Sequence, residues 1–379
     1  MWEQDARIER INLAAFEEDV VFASVKGKGA HGEIEVCDGL ILFWDGYICL
    51  QMKMRDSEAE GEDRGIKWIE KKVYGKAVGQ LRKTLDEIEA DGMIDYINSR
   101  GVRVRPGDIC RKCLHAIVIY RFGDAFGPNR HVAFIRGSKR VGTVHFIHED
   151  DWHRILSSLK SPSELKEYLE YRKMITSSKE GHQPNEGCIF AAYAMEDDCL
   201  ARDEDGWRHL CRQVIDDDRF DFVGFLRELY AHVDSGHKER TAKLICAINE
   251  FPSSSYRSIR EYLRLSIKAV KEQKYNRPYK VIYEDTHIGL IVAANPHKGR
   301  QSSIEFGMCV AGAAKELFEL RFCIGVVASH EGGEFFLDWL LVDQSVISRQ
   351  QAEEFQSETN VFRKGKRRAI PSRHFYEEA

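Results

Sequence analysis

The sequence predicts a mixed α/β protein in two domains: an N-terminal α-β-β-β-α-β core and a C-terminal α+β domain. Three observations predict it. Two β-rich runs flank Asp45-Gly46, the signal of a tight hairpin turn. The segment from about Ile66 to Ala90 then repeats apolar residues at spacings of three and four. After a polar break at 177–187, helical periodicity gives way to strand patterns. With 379 residues the chain also exceeds the size at which single cores usually stop growing.

Element by element, Ile8, Ile11, Leu13, Ala15 and Phe16 make an imperfect helical stripe over residues 5–19. Gly32 to Phe43 (GEIEVCDGLILF) and Tyr47 to Arg55 (YICLQMKMR) read as the hairpin strands, and the acidic DSEAEGEDRG as a loop. The long helix buries Ile66, Ile69, Val73, Ala77, Leu81, Leu85 and Ile88, with Lys72, Lys76, Gln80 and Lys83 beside that stripe. Leu114 to Tyr120 and Val141 to Ile147 are further strands. Ser161, Pro162 and Glu164 stand where an N-cap, a first-turn proline and a capping-box acid belong, opening a helix that ends near Met174.

Domain one is therefore 1–176, and 177–187, with its Gly and Pro, is a linker. Residues 188–379 form an accessory domain for recognition, a partner or a regulatory ligand. It opens with helices near 203–216, 219–233, 237–250 and 256–273. A strand pair in KVIYEDTHIGLIVAAN, a helix in SIEFGMCVAGAAKELFEL and a hairpin in FCIGVVASHEGGEFFLDWLLVD follow. The tail carries a basic cluster, RKGKRR, suited to phosphate or to solvent.

Composition narrows the function classes. Apolar residues at 43% and aromatics at 11% suit a packed core, and a formal charge of −5 with pI near 6.3 gives no global basic field. The charged N-terminus and the absence of a run of about 20 apolar residues point to a soluble, cytoplasmic chain without a membrane role. Of ten cysteines, only Cys110 and Cys113 form a C-x-x-C, and no second pair completes a zinc pattern. His145, His148 and His153 near Asp150-Asp151 are expected to be exposed polar residues at a strand end. There is no nucleophile elbow, Walker loop or dinucleotide fingerprint.

The pattern with chemical content lies on the hairpin. Gln51 and Lys53, two apart on a strand, point to one side, with Met52 toward the core, and the turn folds Asp38 back beside them. The long helix brings Lys76 and Gln80 near that cleft. A carboxylate, an amide oxygen and an ammonium together suit a hard cation and a phosphodiester.

The run E-V-C-D38-G-L-I-L, a turn, then Y-I-C-L-Q51-M-K53 resembles the core motif of the PD-(D/E)XK, or restriction-endonuclease-like, nucleases. The Q-x-K form is similar to Mrr-type members, over about residues 5–150. The resemblance implies Asp38 as metal ligand, Lys53 as catalytic lysine, and Gln51 assisting metal or water. It also implies the Met52 backbone carbonyl as a further ligand, and Glu17 or Glu18 completing the site. Cys37 stands where proline usually precedes the aspartate, and Gln51 replaces a carboxylate, so Glu33 and Glu35 are further candidates. The expected function is a Mg²⁺- or Mn²⁺-dependent nuclease, DNA favoured over RNA, with phage or foreign-DNA defence as its setting by analogy. Lys72, Lys76, Gln80 and Lys83 are candidate nucleic-acid contacts, and a homo-oligomer would suit double-strand cleavage.

Blander alternatives stand beside this. Asp38-Gly39 can be a strand bend, with Gln51, Lys53 and the helix lysines on a solvated face. The fold can serve as an inactive module binding nucleic acid or a protein. An unrelated hydrolase using a Cys or His is the third reading.

Overall fold

The computed structural model describes residues 11–12, 16, 21–29, 32–55, 67–90, 96–97, 103–104, 112–121, 132–159, 161–177, 184–195, 238–283 and 286–362. The chain is mixed α/β and separates into two compact units, Met1–Asn249 (with Ser372–Ala379) and Glu250–Pro371.

The first unit is built on a six-stranded sheet. Its strands are β1 (Val21–Gly29), β2 (Gly32–Leu42), β3 (Tyr47–Met54), β6 (Cys113–Arg121), β7 (Phe134–Ser138) and β8 (Gly142–His148). A separate short pair is formed by β4 (Tyr96–Ile97) and β5 (Arg103–Val104). The sheet order is β1-β2-β3-β6-β8-β7; β1, β2 and β3 are antiparallel, whereas β3, β6 and β8 run parallel. The Asp45-Gly46 turn makes the β2/β3 hairpin expected from the sequence, and Phe43 N–H donates to the Gly46 carbonyl at 2.8 Å.

Between β3 and β6 the chain crosses over as a helix, as parallel pairing requires. Ile69–Ala77 is π-helical, and α1 (Val78–Ala90) continues it. Val73, Ala77, Leu81, Leu85 and Ile88 are buried, the face that the periodicity marks. Tyr74 stacks on Phe134 with ring centroids 4.5 Å apart and meets Phe146 edge-on, fixing the π-helical part over β7 and β8.

Three helices follow β8: α2 (Glu149–Ser158), α3 (Pro162–Ser177) and α4 (Glu186–Met195). His148 caps α2 through Nδ1, which accepts the Asp150 N–H. Ser161 accepts the Glu164 N–H at 3.3 Å, the N-cap contact read from the sequence. The division between units comes after α5 (Lys238–Ile248) rather than at 177–187. The reason is apolar: α4 sets Ile189, Phe190 and Tyr193 into the first core, α5 adds Ala242, Ile245 and Cys246, and Asn185 bridges to Val132.

The second unit holds α6 (Ser253–Lys271), β9 (Tyr279–Tyr283), β10 (Ile288–Asn295), α7 (Arg300–Leu317), β11 (Phe322–Glu331), β12 (Glu334–Val342) and α8 (Arg349–Thr359). The strand pair, helix and hairpin follow the expected order, and α8 had no counterpart in the sequence reading. The sheet runs β12-β11-β10-β9, with β10 and β11 parallel across α7. Alternation on β10 sends Ile291 toward α7 and Ala294 toward α6 Ala269 and Val270, so helices cover both faces. The expected helices at 5–19, 203–216 and 219–233 lie wholly or largely outside the described residues, as does RKGKRR.

Gly307 of α7 shows which effect wins when two oppose. In an exposed helix, Gly→Ala gains about 1 kcal/mol. Here a Cβ would meet Val327 Cγ2 at 2.2 Å and Leu340 Cδ1 at 2.8 Å. Val327 is fixed in β11, so the overpacking cost of about 1–3 kcal/mol exceeds the propensity gain. Gly307→Ala is therefore expected to lower the denaturant midpoint of the second unit; a raised midpoint would contradict this packing.

Candidate functional site

The β2/β3 ladder ends at Gly39–Leu50. Beyond it β2 leaves its partner, and the next inward N–H of β3 needs an acceptor. The Asp38 carboxylate supplies it: Oδ2 accepts the Met52 N–H. At the carbonyl of the same residue, the Lys53 ammonium donates at 2.6 Å, and it contacts Gln51 Oε1 at 3.4 Å. Met52 thus ties together Asp38, Gln51 and Lys53, the three residues singled out in the sequence. Gln51 is buried at 2% exposure, while Asp38 and Lys53 are half-buried.

The strands align more than this. Lys53 lies opposite Tyr120 of β6, which lies opposite His148 of β8, so the three share one sheet face. Tyr120 and His148 rings are 5.6 Å apart, and burial pushes the Tyr120 hydroxyl far above its ordinary range. The sequence marks His148 only as one of three histidines at a strand end and Tyr120 only as a strand residue. Their signal was available only once β3, β6 and β8 were known to be in parallel register.

The Asp38 carboxylate, the Gln51 amide oxygen and the Met52 carbonyl are all hard oxygen donors, the kind Mg²⁺ or Mn²⁺ selects. A cationic ammonium already rests on two of these oxygens, which marks the spot as favourable to positive charge. The residues fit such an ion. Among the described residues no group of three or more His, Cys, Asp or Glu side chains is placed to hold a metal. Glu17 and Glu18 lie outside the described residues, and the side chains of Glu33 and Glu35 do too.

Along the crossover helix, Lys72, Lys76 and Lys83 are exposed. Gln80 differs: it is half-buried, and its Oε1 is shielded without a hydrogen-bond donor.

The cysteines and histidines follow another logic. Cys49 shares a thiol hydrogen bond with Cys37, and this contact with burial pushes its thiol well up. Burial pushes Cys113 up to about 12, and Cys110 lies outside the described residues. Thiols so shifted carry little thiolate at neutral pH. The histidine expectation needs correction, since His145 and His148 are 0% and 4% exposed. Only His153 is exposed. The β8 strand sits between β6 and β7, so its alternate residues face helices on both sides.

His115 and His145 meet edge-on at 5.4 Å. Burial pushes His115 down to about 4, partly opposed by Glu170 at 3.7 Å, and pushes His145 well below its ordinary range. Unfolding returns each ring to about 6.5. Between those values the unfolded chain holds more protons, so the stability these rings contribute is complete above about pH 6.5 and falls as pH drops toward about 4. Urea unfolding across that range should show a smaller loss for His115→Gln than for the wild type. Equal slopes would place the acid sensitivity elsewhere.

No family model matches this chain, and no curated protein or solved structure matches it either.

Proposed function

We propose that the first unit is a metal-dependent nuclease of the restriction-endonuclease-like kind. The observation that carries this is the convergence of Asp38, Gln51, the Met52 carbonyl and Lys53 where β2 parts from β3. Its setting supports the same reading: three antiparallel strands, a helical crossover, then β6 parallel to β3.

In this reading Asp38, Gln51 and the Met52 carbonyl hold a Mg²⁺ or Mn²⁺ ion. A hard divalent ion bound there neutralises developing phosphate charge and acidifies a water. Lys53 aims its ammonium at the same place, stabilising negative charge as it builds on the phosphodiester. Asp38 holds the Met52 N–H, and Lys53 meets the carbonyl of the next peptide unit, so the two contacts fix this stretch of β3 from both of its peptides. Exposed Lys72, Lys76 and Lys83 offer contacts to a nucleic-acid backbone, each adding salt-dependent affinity. DNA is the favoured substrate, and defence against foreign DNA is a role consistent with such an enzyme.

Cleavage of plasmid, linear duplex, single-stranded DNA and RNA in Mg²⁺, Mn²⁺ and EDTA tests the proposal. Metal-dependent cutting of any substrate supports it, and the panel names the target. Absence of cutting with every metal and substrate favours a second reading, an inactive module that binds nucleic acid or a protein. Gln51, standing where a carboxylate is commoner, is the observation behind that alternative. Calorimetry with Mn²⁺ separates the two, because a live site gives heat that depends on Asp38.

A further inference from the structure

The second unit carries a segregation of charge that its totals hide. Between Glu250 and Pro371 there are 18 Lys and Arg against 15 Asp and Glu. Yet residues 257–280 hold eight of those cations and only two of the acids, Glu261 and Glu272. Most of this excess lies on α6.

Arg257, Arg260, Arg264, Lys268 and Lys271 recur at spacings of three and four, and all five are exposed. At about 100° per residue they fall within an arc of roughly 80°. The opposite side of α6 is occupied: Ile259, Leu263, Ala269 and Val270 are buried. The stripe is therefore a rigid cationic ridge standing on a packed sheet. It is about 21 Å long, over which one strand of a duplex presents about six phosphates. Arg264 pairs with Glu261 at 2.7 Å, and Lys268 and Lys274 with Glu272 at 3.7 and 2.8 Å. Exposed pairs of this kind are weak, and phosphate can exchange for the carboxylate.

One aromatic ring stands at the end of the ridge: Tyr275, just after α6, is 56% exposed. Tyr262 lies on the other side of the helix, stacked on Tyr279 of β9 with centroids 4.8 Å apart. An exposed ring at the end of a cationic track suits nucleic acid, whose bases stack on it. An anionic membrane suits the surface less. Helices that lie in a membrane present an exposed apolar face, whereas on α6 Ile259, Leu263, Ala269 and Val270 are buried and Leu265 and Ile267 only half-exposed.

We propose that the α6 face of the second unit binds the phosphodiester backbone of a nucleic acid. This goes beyond the cleavage site in the first unit and does not require that site to work.

The test uses the full chain in EDTA, so binding is read without cleavage. Fluorescein-labelled duplex and single-stranded DNA of mixed sequence are titrated across a series of salt concentrations. Vesicles containing phosphatidylserine form a separate arm. The variant Arg257→Gln/Arg264→Gln/Lys268→Gln is compared with Lys298→Gln/Arg321→Gln/Arg349→Gln, which removes equal charge elsewhere in the same unit. The stripe variant is expected to bind at least one DNA form at least about tenfold more weakly at low salt. Its slope of log K against log salt should be shallower by about 2 to 3, and the control's by less than 1. Equal effects of the two variants overturn the proposal, because net charge alone would then explain binding. So does DNA binding that the stripe variant leaves unchanged, or a wild type that binds vesicles but neither DNA. Matching unfolding midpoints keep these readings separate from misfolding.

Discussion

Lys53→Ala is expected to reduce metal-dependent cleavage by about 10²–10³-fold or more while leaving the first unit folded. The ammonium is half-buried and rests on the Met52 carbonyl at 2.6 Å, close to the Gln51 amide oxygen. Removing it takes away a fixed positive charge, which is worth far more in a water-poor cleft than on an open surface. Asp38→Asn gives the sharper comparison. Asparagine keeps an oxygen for the Met52 N–H and discards the charge, so it should abolish the metal-dependent heat and the cleavage together. Asp38→Ala would instead leave that N–H without its acceptor and add about 1–3 kcal/mol of instability to any catalytic loss. Gln51→Glu points the other way: a carboxylate there should tighten Mn²⁺ binding, measurable by calorimetry. Cleavage that survives both Lys53→Ala and Asp38→Asn would move the active site elsewhere.

These residues were legible because short-range rules place them. The i and i+2 alternation of a strand set Gln51 and Lys53 to one side, and the Asp45-Gly46 turn set β2 against β3. The helix stripe through Val73, Leu81 and Leu85 was equally local. What was not legible depends on distant partners. The β7 strand (Phe134–Ser138) is short, edge-placed and half-exposed, so it lacks a clean alternation. The β1 strand, VFASVKGKG, ends in a Lys/Gly run that hides its strand pattern. Helix α4 carries apolar residues nearly all round, which erases amphipathic periodicity. Only its first two residues fall in the linker expected at 177–187, and the rest opens the expected accessory domain with no element assigned to it. The buried polar centre of the first unit was invisible for the same reason, since an arginine in a helix reads as solvated until its neighbours are known.

That arginine gives the largest expected stability effect. Arg172 of α3 is fully buried. Its Nε donates to Glu186 Oε1 and Oε2 at 2.8 and 3.0 Å, and one terminal nitrogen reaches Glu186 Oε2 and the Phe146 carbonyl, each at 2.8 Å. The other meets the Phe134 carbonyl and His145 Nδ1, both at 3.2 Å. A guanidinium has no lone pair to offer, so His145 Nδ1 accepts and its proton sits on Nε2. That fits a ring held neutral by burial and by the guanidinium itself. Tyr168 completes the cluster by donating to Glu186. One side chain thus fastens α3, α4, β7 and β8. Arg172→Met would leave the Glu186 carboxylate buried without its cation and two strand carbonyls without this donor, a loss of about 3–5 kcal/mol. Against a typical total of about 5–15 kcal/mol, that removes from about a fifth to all of the stability. Glu186→Gln should cost less, because the amide keeps one acceptor and Arg172 keeps its two carbonyls. The double variant Arg172→Met/Glu186→Gln should then be more stable than the sum of the single losses requires, since neither leaves an opposing charge behind. Urea unfolding of the three variants gives the coupling directly. Strictly additive losses would mean that the pair holds the fold by packing volume alone, with its charges already balanced by the surrounding carbonyls.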